Sequence, residues 1–116
     1  MKLRLIIGVA CIALSHQALA QSTTLPSVNR SQTIGLANVF QVLIAASSSR
    51  KSLTMENNNV NGDNCWIHIG AGNATFGNSI LLFAGGSYER YYPYLPQDQI
   101  QGTCTTTGDT IYADTQ

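Results

Sequence analysis

Short runs whose apolar residues recur at every second position, separated by turn residues, dominate this chain. A period of two puts successive side chains on opposite faces of a strand, and no window shows a helical period that competes with it. In "RKSLTMEN" Leu53 and Met55 point one way, Thr54 and Glu56 the other. In "CWIHIG" Cys65, Ile67 and Ile69 share one face, and Trp66 and His68 the opposite one. "SILLFAGGSYERYY" reads as strand, turn at Ala84-Gly85-Gly86, and strand. "DQIQGTC" sets Ile100, Gly102 and Cys104 on a common face, and after a turn begun by Gly108, "DTIYADT" sets Ile111 and Ala113 against Tyr112 and Asp114.

Residues 33–46, "TIGLANVFQVLIAA", carry Val39, Val42, Leu43 and Ala46 at helical spacing. Yet Val39, Phe40, Val42 and Ile44 are β-branched or aromatic, and Gly35 and Asn38 interrupt the first half, so a strand is expected. The chain thus offers roughly six or seven short strands at intervals of about ten residues, the rhythm of small sandwiches and barrels. The expected fold is all-β: a small antiparallel β-sandwich, or a partly open barrel, preceded by a signal peptide. Residues 32–116 form the domain, and the polar stretch 21–31 with Pro26 is a flexible or edge segment.

The leader reading rests on residues 1–20. Lys2 and Arg4 precede an apolar or small-residue run from Leu5 to Leu14, and "ALA" ends at Ala20. That is the layout of a cleavable secretory signal, with a retained amphipathic anchor as the alternative. The run falls short of the ~20 apolar residues a bilayer span needs, so no stable membrane span is expected after cleavage. Cys11 as a lipid-modified residue is disfavoured by Gly8 and by the apolar run continuing past it. Past the leader, four basic residues stand against six acidic ones, a net charge of −2. That excludes the basic patch a nucleic-acid binder wants.

Cys65 and Cys104 are the only cysteines beyond the leader. An even pair in an exported chain reads as a disulfide, with two buried free thiols as the alternative. If both face inward, the bridge is expected to join two strands across the core.

"MENNNVNGDNCWIHIG" imitates part of a calcium loop through Asn57, Asn59, Asn61 and Gly62. It lacks an acidic first ligand, and His68 stands where the bidentate glutamate belongs. The expectation is instead a hairpin turn at Asn61-Gly62, since both central residues of a type I′ turn need positive φ, with neighbouring asparagines satisfying loose backbone groups.

Catalytic chemistry finds little to work with. His68 is the one histidine past the leader, it sits in a strand without a G-x-S-x-G element, and the carboxylates are scattered singly. No enzyme, metal or cofactor is expected. The distinctive surface candidate is "SYERYYPYLP", where Tyr88, Tyr91, Tyr92, Tyr94 and Arg90 offer flat rings and a planar cation, stiffened by Pro93 and Pro96. With Trp66 they form a candidate recognition surface of a kind favoured at interfaces and for sugar stacking. The competing reading makes Tyr88 and Tyr92 core or sheet-cover residues on one strand face.

The pieces "RKSLTMENN", "CWIHIG", "ILLFAGGSY" and "TIYADT" together resemble a kind of small β-protein encoded among the structural genes of tailed phages and prophages. The resemblance covers about two-thirds of residues 21–116 and implies a virion-associated or decoration-type role, non-enzymatic and oligomeric. The export leader departs from that pattern and points to a periplasmic or secreted relative of the same fold. The expected function is therefore an exported or virion-associated structural or binding β-module. Its partner is a protein surface of a virion or cell envelope, or a second copy of the chain. One alternative is a carbohydrate-binding module using Trp66 and the tyrosines; another is an inhibitor of an exported hydrolase that inserts "YYPYLP".

Overall fold

The computed structural model describes residues 25–116. The leader read over residues 1–20 and the start of the 21–31 segment lie outside the described residues. The described chain is all-β, with nine strands and one short 3-10 helix: β1 (Val28–Asn29), β2 (Gln32–Thr33), β3 (Gln41–Ile44), β4 (Ser52–Asn57), β5 (Cys65–Ile69), the 3-10 turn Phe76–Asn78, β6 (Ile80–Leu82), β7 (Ser87–Tyr91), β8 (Ile100–Cys104) and β9 (Thr110–Thr115). They form two antiparallel sheets packed face to face. Sheet I has the order β1-β9-β4-β7, with β2 also on β9; sheet II has the order β3-β8-β5-β6. The strands beyond the expected six or seven are β1 and β2, two residues each, which lay Val28–Asn29 and Gln32–Thr33 along β9 as edge pieces. Such short pieces give no readable alternation.

The inward faces follow the sequence parity. In β4 Leu53, Met55 and Asn57 are buried while the residues between them are only half-buried. In β9 the buried positions are Ile111, Ala113 and Thr115, and in β5 they are Cys65 and Ile67, with Ile69 packed partly against the core. Each fully buried Leu, Ile or Met contributes roughly 1.5–3 kcal/mol, and Ile34, Leu53, Met55, Ile67, Ile100 and Ile111 are all closed to solvent. Gly102 has a steric reason to lack a side chain. A Cβ there would land on the Leu43 Cδ1 methyl and 2.9 Å from the Trp66 carbonyl oxygen.

Connections cross between sheets almost everywhere. Only β5 and β6 are consecutive and directly paired; β4 is followed by β5, β6 by β7, and β8 by β9, each in the opposite sheet. This corrects the hairpin expected at Asn61-Gly62. The segment bridges sheets, because β4 pairs with β7 and β9 while β5 pairs with β6 and β8. Gly62 has φ +82, but Asn38 is the one described non-glycine residue with positive φ, so Asn61 does not supply the second half of a type I′ turn. The Asn-Gly signal marked a reversal correctly and its partner strands wrongly.

The disulfide Cys65–Cys104 is formed, with both residues fully buried. Its placement differs from expectation. Cys65 and Cys104 are directly opposed in the β5–β8 ladder, 4.0 Å apart at Cα, so the bridge staples neighbours within sheet II and does not span the core. Alternation told which face each cysteine takes, but it carries no information on which strands are neighbours.

Candidate recognition surfaces

The segment after β7 presents the tyrosines. Tyr91, Tyr92 and Tyr94 are 60%, 67% and 85% exposed, yet the backbone beneath them is tied down. Tyr92 N donates to the Lys51 carbonyl at 3.1 Å, and Tyr94 N to the Tyr91 carbonyl at 3.0 Å. Leu95 is buried in the core, and the Pro96 carbonyl accepts from Arg50 Nη1 at 2.7 Å. The ammonium of Lys51 lies 5.2 Å from the Tyr92 ring centroid, within cation–π range. The rings are therefore solvent-facing on an anchored frame.

Tyr88 behaves otherwise. It pairs with Met55 across the β4–β7 ladder, packs partly against the core, and carries the Arg90 guanidinium 4.6 Å above its ring centroid. The expectation that Tyr88 and Tyr92 share a strand face fails because β7 ends at Tyr91, after which parity no longer predicts direction.

Trp66 stands elsewhere. It lies between buried Cys65 and Ile67, which turns it to the outer face of sheet II, whereas Tyr91 opposes half-buried Ser52 on the outer side of sheet I. The structure does not bring Trp66 together with the tyrosines. Instead the Phe76 ring from the 3-10 turn meets Trp66 edge-on at 4.9 Å and Phe40 at 5.4 Å. Asn78 Oδ1 accepts from Thr75 N at 2.7 Å and the Thr75 carbonyl accepts from Asn78 N at 3.2 Å, which holds that turn, and His68 Nδ1 donates to the Asn78 carbonyl at 3.0 Å. Trp66 thus clamps a loop onto its sheet. Sequence reasoning missed Phe76 as its cover; the Thr75 and Asn78 spacing around "TFGN" was the available signal.

The asparagine run is turned to internal bonding. Asn57 is fully buried. Its Nδ2 donates to the Asp63 and Leu82 carbonyls at 2.7 and 2.9 Å, and its Oδ1 accepts from Asn59 N and Nδ2. Asp63 Oδ1 accepts from the Thr105 and Thr106 hydroxyls, each at 3.0 Å.

One further group of ligand type occurs among the described residues, Cys65, Cys104 and Asp109, with ligand atoms within 4.8 Å of one another. The bond between the two sulfurs leaves neither as a thiolate donor. Asp109 Oδ2 is buried without a hydrogen-bond partner among the described residues. Burial first, then the Asp63 carboxylate, pushes the Asp109 carboxyl above the usual aspartate range.

No helix among the described residues is long and apolar enough to cross a membrane, and the disulfide is compatible with an oxidising compartment. The chain matches no protein-family model, no curated protein and no solved structure.

Proposed function

We propose that this chain is an exported, non-enzymatic binding module of phage or prophage type, which docks on a protein surface of a virion or cell envelope through Tyr91, Tyr92 and Tyr94. The observation that carries this reading is the pairing of exposure with anchoring. Three tyrosine rings stand in solvent on backbone held by Lys51, Leu95 and Arg50. A backbone already held in the free protein leaves less main-chain entropy to lose on binding, and Tyr offers large contact area with a polar tip. The phage-type motifs, the leader pattern and the disulfide support the origin and the exported location. A single strand histidine, engaged by a main-chain carbonyl, supports the non-enzymatic part.

A second reading, glycan binding, is favoured by those same three uncovered rings, with Trp66 removed from the set because Phe76 covers it. Co-sedimentation of the oxidised protein with purified particles and with cell envelopes tests the first reading, alongside a glycan array for the second. Saturable retention on particles or envelopes that free sugars do not displace is expected. A monomer retained by neither overturns the proposal, and displacement by a free sugar transfers it to the glycan reading.

A further inference from the structure

The two sheets part along one side, where residues 28–32 at the edge of sheet I and residues 43–49 at the edge of sheet II line a cleft of about 400 Å³. Val28, Leu43 and Ile44 contribute apolar surface to its lining, and Arg30, Arg50, Ser47 and Ser49 contribute polar groups. Arg50 is 3% exposed, which is unusual for a residue type rarely buried without a partner. Its guanidinium donates from Nη1 to the Pro96 and Asp98 carbonyls at 2.7 and 3.3 Å, and from Nη2 to the Ala45 carbonyl at 2.9 Å. All three acceptors are neutral main-chain oxygens. Of the five N–H donors of an arginine, two remain without a protein partner among the described residues, and the cleft is the free volume against this side chain.

The electrostatics point the same way. Burial first, and then the positive charge of Arg30, pushes the Arg50 guanidinium below its ordinary value, against a smaller upward pull from Asp98. Arg30 and Arg50 are the only charged side chains lining the cleft. Gln116, the last residue of the chain, also lines it and brings the negative charge of its main-chain carboxylate, one oxygen of which accepts from the Lys51 and Ser52 amides. The two guanidinium groups outnumber the one negative charge at Gln116, so the lining is net positive and suits a further negative charge. Guanidinium forks match planar or tetrahedral oxyanions.

We propose that this cleft binds a small organic oxyanion, its charged head between Arg30 and Arg50 and its apolar stem against Val28, Leu43 and Ile44. The site lies apart from the tyrosine surface and does not depend on that surface's function. Pockets of this size with an apolar wall and a few placed polar groups suit small molecules.

Titrating the full oxidised chain with hexanoate, inorganic phosphate and neutral hexanol, followed by amide chemical shifts, tests the assignment. Hexanoate is expected to saturate with shifts at Arg30, Leu43, Ser47 and Ser49, about tenfold tighter than phosphate or hexanol. Arg30→Ala, at an exposed position, is expected to keep the melting temperature and weaken hexanoate about tenfold or more. Arg50→Lys, which keeps the charge and loses the fork, should weaken it similarly if it folds. Hexanol binding as tightly as hexanoate, phosphate matching hexanoate, no saturation by any probe, or an unchanged affinity in Arg30→Ala would each overturn the proposal.

Discussion

Asn57, the last residue of β4 in sheet I, donates from Nδ2 to the carbonyl oxygen of Leu82, the last residue of β6 in sheet II, at 2.9 Å. The same amide nitrogen donates to the Asp63 carbonyl, while the Asn57 carbonyl accepts from Gly85 N at 2.7 Å. The buried side chain therefore ties the end of β4 to the end of β6 and to the loop toward β5, while the main-chain oxygen of the same residue holds the loop toward β7. It is the physical use of the first asparagine in a run that resembles a metal loop.

Asn57→Ala is expected to destabilise the protein by about 2–4 kcal/mol, because two main-chain carbonyls lose their donor and Asn59 loses its acceptor in a closed environment. Chemical denaturation should show a lower midpoint at an unchanged slope. A change below about 0.5 kcal/mol, the scale of ordinary surface substitutions, would contradict this account of the loop.

Reducing Cys65–Cys104, or replacing both residues by alanine, should cost roughly 4 kcal/mol for a sequence separation of 39 residues. For a domain of this size that corresponds to a fall in Tm of the order of 15–25 °C. Because the two cysteines are ladder neighbours, the reduced protein is expected to keep its β-sheet circular dichroism at low temperature. Loss of all sheet signal on reduction would show that the β5–β8 pairing depends on the bond.

Asp109→Asn tests the orphaned carboxyl. A carboxyl raised above its ordinary value of 3.8 favours the fold in its protonated form. Its contribution is full below that pH and is lost as the pH rises through the folded value. The variant should therefore gain on the parent as the pH rises above 3.8, by on the order of 1 kcal/mol. Parallel stability curves for the two proteins would contradict the assignment.

Much of the architecture was legible because strand parity is a local property. Leu53 and Met55, Cys65 and Ile67, and Ile111 and Ala113 face inward as their alternation requires. Pairing is not local. Nothing in "NGDN" states that β4 and β5 enter opposite sheets, so the hairpin and the core-spanning disulfide were both misplaced by one topological fact. The site was legible in part: Tyr91, Tyr92 and Tyr94 are exposed, while Tyr88 and Trp66 are drawn into packing by Arg90 and Phe76. Arg50 gave no sequence signal, since a basic pair before a strand usually marks a solvated edge.

If the tyrosine segment is the contact surface proposed above, the variant Tyr91→Ser, Tyr92→Ser, Tyr94→Ser removes its rings and leaves the fold in place. These rings are exposed, so the variant should melt within a few degrees of the parent. Its retention on the particles or envelopes that hold the parent is expected to fall about a hundredfold, as for loss of clustered aromatic anchors. Full retention at unchanged stability would contradict the account.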